Sequence, residues 1–250
     1  MYNRRIEHIR YNSYDLYSKI NNFIYFGKKI VDENYKIIKI LKDTKRNYVA
    51  IIEIENKKYI LKEFRSEVVI PQRKIQTILK KGEAINTLIN GSEAIEEGIV
   101  ELVKPLVAVV KKKLMIEKSY LLMEYIDGEN LKTIEDIDEV IKIIKRVHLL
   151  GRYHGDLNTS NFIKNKGKII ILDTQMKKEK KIFFKRAYDI FTLKEDLLVK
   201  FLNYDIEEKY KIPKGIFPFL AKSIKNLKKT KFINKIREIK SKLREKGIKI

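Results

Sequence analysis

The sequence predicts an α+β protein of two lobes: a small antiparallel-sheet lobe with one main helix, then a mostly helical lobe. Three observations predict it. Strand-like apolar runs crowd the first half, helical apolar spacing fills the second, and a short polar stretch, Ile126-Asp127-Gly128-Glu129-Asn130, lies between them. The length of 250 residues, 44% of them hydrophobic, allows either one large domain or two lobes sharing a cleft. Long Gly, Ser or Pro tracts are absent, and no internal repeat is visible.

Residues 1–34, rich in Tyr and Asn with weak periodicity, read as an irregular N-terminal extension. The first lobe is expected over 35–125. Its opening strands are Tyr35–Leu41, Tyr48–Ile54 and Lys57–Phe64, with Glu55-Asn56 as a tight hairpin turn. A helix is expected from Gln72 to Asn90, because Ile75, Ile78, Leu79, Ile85, Leu88 and Ile89 recur at helical spacing. Pro71 suits its first turn and Gly91 its end. Strands then follow at Val100–Val110, where Pro105 marks a break or an edge, and at Leu114–Tyr125. Lys111-Lys112-Lys113 between them reads as a solvated tip. The second lobe, 126–250, begins with a helix over Ile134–Leu150. A loop at His154 and a short hairpin lead to helical patterns over Asp189–Leu202 and from Phe217 to the end.

The formal charge is +22, and residues 221–250 carry a disproportionate share: 12 Lys/Arg against two Glu. Among them Ile224, Leu227, Phe232, Ile233, Ile236, Ile239 and Leu243 form an amphipathic pattern. It suits a helix packed on the second lobe, a helix lying on an anionic membrane leaflet, or both. Nucleic acid is the weaker partner, since no recognised binding motif accompanies the charge. The chain has no cysteine, which excludes disulfides and thiolate metal sites. Neither a signal-peptide core nor an apolar run of the roughly 20 residues needed to span a bilayer is present. The expectation is a soluble cytoplasmic protein, with the basic tail available to the inner face of the cell membrane.

The most specific signal is His154-Gly155-Asp156-Leu157-Asn158-Thr159-Ser160-Asn161, followed by the apolar run Ile169-Ile170-Ile171-Leu172 ending in Asp173. An acid able to orient a hydroxyl proton, then an amide and a second acid able to bind Mg²⁺ through hard oxygens, is what phosphoryl transfer requires. These roles fall to Asp156, Asn161 and Asp173. Gly155 is expected to serve backbone geometry, and His154 to pack beneath the loop.

With Lys62 on the third strand, an acid on the following helix and a hinge between the lobes, this order of residues resembles the protein-kinase-like superfamily. The His-Gly-Asp form, Lys81-Gly82-Glu83-Ala84, residues His154–Phe162 and the compact size are most similar to bacterial lipopolysaccharide core heptose kinases. The resemblance implies a kinase fold and an enzyme using ATP and Mg²⁺. Lys62 would hold the α/β-phosphates, Glu83 would pair with Lys62, and main-chain groups near Glu124, Tyr125 and Ile126 would meet adenine. Asp156 would be the catalytic aspartate, with Asn161 and Asp173 on the metal, and Asp189 would brace the catalytic loop. The implied acceptor is a sugar hydroxyl, a heptose of the lipopolysaccharide inner core.

Two departures from the family pattern stand out. Residues 42–47 contain no glycine, so the glycine-rich phosphate loop is missing, and Lys45, Arg46 and backbone amides are left to cover the triphosphate. Asp173 is followed by Thr174-Gln175, and only 16 positions separate it from Asp189. That leaves little room to dock a peptide, so a compact acceptor fits better than a protein side chain. The run Lys177-Lys178-Glu179-Lys180-Lys181 could greet an anionic acceptor. The rival readings are a compact atypical Ser/Thr protein kinase, another small-molecule kinase, or an inactive binding protein that keeps the fold.

Overall fold

The computed structural model describes residues 2–20, 22–174, 176–179 and 183–227. The chain forms two compact units, Met1–Leu131 with Ser160–Met176, and Lys132–Thr159 with Lys177–Ile250. The first is built on an antiparallel sheet and the second on helices, so the α+β class is as the sequence predicts.

In chain order the first unit runs β1 (Tyr2–Tyr11), β2 (Tyr14–Ile20), α1 (Phe23–Val31), β3 (Lys36–Asp43), β4 (Tyr48–Ile54) and β5 (Lys57–Glu63). Then come α2 (Ser66–Val69), α3 (Pro71–Gln76), α4 (Glu83–Glu96), β6 (Pro105–Lys112) and β7 (Ile116–Glu124). The seven strands are ordered β1-β2-β6-β7-β5-β4-β3. Glu55 and Asn56 both take positive φ (52° and 61°), the geometry of a two-residue hairpin turn between β4 and β5. Because side chains alternate across a strand, each face of the sheet gathers its own core. One holds Ala50, Ile52, Leu61, Val107, Val109 and Leu122 beneath Ile24 and Ile30 of α1. The other holds Ala108, Leu121 and Met123 with Ala84, Ile85 and Leu88 of α4.

The second unit contains α5 (Ile134–Leu149) and β8 (Arg152–Tyr153), after which the chain supplies β9 (Phe162–Asn165) and β10 (Lys168–Ile171) to the first unit. Back in the second unit, β11 (Lys177–Lys178) pairs antiparallel with β8 and precedes α6 (Phe184–Lys194), α7 (Leu197–Phe201), α8 (Ile206–Lys209) and α9 (Ile216–Leu227). Helix α5 starts at a capping box: Thr133 accepts the Asp136 N–H, and Asp136 accepts the Thr133 N–H. Ile137, Val140, Ile141, Ile144 and Val147 line its buried face.

Four expectations are corrected. The stretch taken as irregular supplies β1, β2 and α1, and β2 extends the sheet by pairing with β6. What holds it there is burial of Leu16 against Gly27 and Val107: a Cβ on Gly27 would sit 2.3 Å from Leu16 Cδ2. The helix expected over 72–90 is two helices, α3 and α4, broken before Gly82, whose φ of +94° is not helical. Gly91 lies inside α4, not at its end, and lets the helix approach Pro105, 3.1 Å from where its Cβ would stand. Lys112 is not a solvated tip, because its ammonium donates to the Ile78 and Lys80 carbonyls that follow α3. The tail pattern over 228–250, and Lys180 and Lys181, lie outside the described residues.

Candidate active site

Lys62 lies on β5, in register with Val49 of β4 and Leu121 of β7, and so on the face of the sheet that carries α4. Its stem is nearly buried, 11% exposed, and its ammonium stands 5.1 Å from the Phe64 ring centroid. That ammonium donates to Asp173 Oδ1 at 2.6 Å. The pair is made within the first unit, between residues 111 apart in the chain.

The β9–β10 hairpin makes this possible. Its strands pair from Phe162↔Ile171 to Asn165↔Lys168, and the Leu172 N–H donates to the Asn161 carbonyl at 2.9 Å. Asn161 and Asp173 therefore flank the open end of one hairpin. The hairpin is tied to the sheet unit on both edges. Ile171 exchanges main-chain bonds with Glu101 and Val103, and Lys164 exchanges a pair with Glu129. Gly128 allows the second contact, since a Cβ there would stand 2.9 Å from the Lys164 carbonyl.

Glu83 does not pair with Lys62 as expected. It opens α4 and accepts from Arg73 Nη1 at 2.9 Å, the guanidinium of the preceding helix. Its own N–H donates to Glu67 Oε1 at 2.7 Å. Glu67, 5% exposed, thus places a carboxylate at the N-terminus of α4, where the helix dipole favours it. Burial raises the Glu67 pKa above the ordinary glutamate value, against the lowering effect of that N–H. Glu67 is missing from the residues expected at the site, because it sits in a four-residue helix without readable periodicity.

Glu124, the last residue of β7, and Ile126, two positions beyond it, are the expected adenine-facing residues. The Glu124 N–H donates to the Lys104 carbonyl, and its carboxylate accepts the Lys104 N–H. Ile126 is partly buried and, like Ile60, Ile170 and Leu172, packs against the α4-side core. Aliphatic side chains from the sheet, the linker and the hairpin thus adjoin the core on the face that bears Lys62.

Asp156 lies in the second unit, on the loop after β8. Asp189 of α6, 1% exposed, braces this loop by accepting the N–H of His154 at 2.6 Å and of Gly155 at 2.9 Å. Gly155 takes φ +95°, the conformation expected of it. Beyond Asp156, Thr159 donates its N–H and hydroxyl to Asp196, each at 2.9 Å. The His148 ring, 3.5 Å from Asp189, has its other nitrogen 2.7 Å from the Tyr210 hydroxyl. Burial pushes that hydroxyl up to about 12, so Tyr210 stays protonated at neutral pH.

The donor set fits Mg²⁺. Asp173 offers a carboxylate that is 61% exposed and Asn161 an amide oxygen, while no cluster of three His, Cys, Asp or Glu suited to a metal exists among the described residues. Mg²⁺ bound with nucleotide takes one or two protein oxygens and fills its shell with phosphate and water. Lys62, beside the carboxylate, is the cation a phosphate would meet.

Comparison with known proteins shows the family. The family model described as "Lipopolysaccharide core biosynthesis protein (WaaY)" matches residues 5–242. The chain is 29% identical to the lipopolysaccharide core heptose(II) kinase WaaY of Escherichia coli strain K12, over 74% of its own length and 82% of that protein. A second Escherichia coli heptose(II) kinase WaaY is 26% identical over 67% of the chain and 76% of that protein. A probable bifunctional tRNA threonylcarbamoyladenosine biosynthesis protein of Methanobrevibacter smithii is 32% identical over half of the chain, but the match spans only 23% of that protein's length. The chain belongs to the WaaY family of lipopolysaccharide core biosynthesis proteins, within the protein-kinase-like superfamily.

Proposed function

We propose that this ATP-dependent kinase phosphorylates a sugar hydroxyl, that of a heptose in the lipopolysaccharide inner core. The observation that carries the reading is the Lys62–Asp173 pair at the open end of the hairpin that also bears Asn161, in a member of this family. Asp173 and Asn161 would hold Mg²⁺, which when bound neutralises charge on the β- and γ-phosphates. Lys62 orients the nucleotide phosphates, and the main chain at Glu124 and Ile126 meets adenine against Ile60 and Ile170. Asp156 receives or orients the acceptor hydroxyl, its loop held rigid by Asp189. Positioning and charge neutralisation supply most of the rate in such loose transition states.

The short span from Asp173 to Asp189 favours a compact acceptor over a peptide. An anionic membrane surface is the proposed workplace. Helix α9 exposes Ile216, Phe219 and Leu227 at 59–68%, and the sequence around and beyond it is rich in lysine. No helix among the described residues is long and apolar enough to cross a membrane. Mass spectrometry of core oligosaccharide from cells with and without the protein tests the substrate. One phosphate fewer on a core heptose in the deletion supports the reading, and an unchanged core removes it.

A further inference from the structure

Lys36, Lys39 and Lys42 recur every third residue along β3, a spacing that in a regular strand would alternate them between faces. The strand is not regular. Its register against β4 shifts between Ile37 and Lys39 and again between Ile40 and Lys42. Each bulge inserts one extra residue, so a three-residue step along β3 answers a two-residue step along β4. The three lysines thereby stand opposite Glu53, Ile51 and Val49 in turn.

The next register fixes which face this is. Val49 pairs with Lys62, and Ile51 with Ile60. Lys42, Val49 and Lys62 form one row across the sheet, with Lys42 about 10 Å from Lys62 at twice the inter-strand spacing of about 4.8 Å. Lys39 stands one row nearer Met123 and the linker, in line with Ile51 and Ile60, and Lys36 one row further still. Glu53 stands beside Lys36 at the far end of this face, while Asp43 and Glu63, the carboxylates next to Lys42 and Lys62 in the chain, lie on the opposite face. Asp43, Tyr48 and Glu63 form the adjacent row, where Arg65 binds Asp43 at 2.6 Å and Glu63 at 2.7 Å. All of β3 is exposed, and the side chains of its three lysines make no hydrogen bond or ion pair among the described residues.

We propose that Lys42, held on the Lys62 face by its register with Val49, grips the terminal phosphates of the nucleotide, supplying by side-chain charge what a glycine-rich loop supplies by backbone N–H groups, while the two bulges carry Lys39 and Lys36 onto the same face. Lys39, level with Ile60, flanks the phosphates on the base side, and Lys36 lies beyond reach of them. This rests on the nucleotide-binding reading of Lys62 and Asp173. A lysine is a point charge on a flexible stem, able to follow phosphate without demanding close backbone approach. That accounts for a turn at residues 44–47 containing Thr, Lys, Arg and Asn but no glycine.

The test is titration of the full chain with ATP and Mg²⁺, and with adenosine, comparing wild type with Lys42→Gln, Lys39→Gln and Lys36→Gln. Circular dichroism confirms folding, which exposed strand positions should not disturb. Lys42→Gln is expected to weaken ATP by about tenfold or more, the value of a charge-assisted hydrogen bond, with adenosine unchanged. Lys39→Gln is expected to weaken ATP less, and Lys36→Gln not at all. ATP bound equally by wild type and Lys42→Gln would overturn the lysine grip and leave the kinase reading intact. Wild type that binds neither ligand would overturn both. Equal losses for Lys36 and Lys42 would reduce the effect to general surface charge and also overturn the grip.

Discussion

Lys62 Nζ and Asp173 Oδ1 lie 2.6 Å apart, joining a central strand of the sheet to the end of a hairpin that enters from much later in the chain. The contact brings the proposed phosphate-binding cation and the proposed metal-binding carboxylate together inside one compact unit. Removing either should therefore separate nucleotide binding from folding. Asp173→Asn is expected to lower phosphoryl transfer by about 10²–10³ or more, the range for losing one preorganised electrostatic group. Because the Asp173 side chain is 61% exposed, the melting temperature should stay close to wild type. Parallel turnover and thermal melts check this.

Asp189 should behave in the opposite way. Its carboxylate is buried and takes two main-chain N–H groups of the Asp156 loop, so truncation strands both donors. Asp189→Ala is expected to cost about 3–5 kcal/mol of stability together with activity. Urea denaturation measures it, and a variant as stable as wild type would mean the brace is dispensable.

Glu67 makes stability depend on pH. Its pKa is raised by burial, so just above the ordinary glutamate range the folded chain keeps a proton that the unfolded chain has released. The resulting stability is fully present below the ordinary glutamate range and is lost as pH rises through the raised value. Glu67→Gln keeps an acceptor for the Glu83 N–H and removes the titration. The wild-type stability curve should fall relative to the variant as pH rises from about 4.3 through that window. Parallel curves would contradict the assignment.

Gly27 tests whether the N-terminal strands and helix belong to the fold. A Cβ there would stand 2.3 Å from Leu16 Cδ2 and 3.1 Å from Val107 Cγ2. Gly27→Val is expected to destabilise the protein by about 1–3 kcal/mol through overpacking. No loss in an equilibrium melt would show that residues 14–31 are an appendage.

What was legible in the sequence follows from how strongly local patterns were constrained. The strands around Lys62 and the hairpin ending in Asp173 were readable because their apolar runs are short and bounded by turn residues. The α5 helix was readable from its unbroken apolar period. Residues 2–31 were not, because β2 buries Ser18 and Lys19 beside Leu16, and Ser18 donates to the Leu106 carbonyl of a strand far away in sequence. The break before Gly82 was hidden by Ile75, Ile78 and Leu79, which keep helical spacing yet are exposed. At the candidate site the structure brings Lys62 and Asp173 together and ties Asp189 to the Asp156 loop, but one expected partnership is absent. Glu83 meets Arg73, a contact set by the α3–α4 break, and the bulges that bring Lys39 and Lys36 onto the face of Lys42 and Lys62 depend on pairing with β4.

The most direct test is phosphate transfer by purified protein from ATP with Mg²⁺ to core oligosaccharide lacking heptose phosphate, read by mass spectrometry beside Asp156→Asn and Asp173→Asn. Wild type is expected to add one phosphoryl group to a core heptose, and either variant none. An unmodified oligosaccharide, from wild-type protein shown to bind ATP, would contradict it.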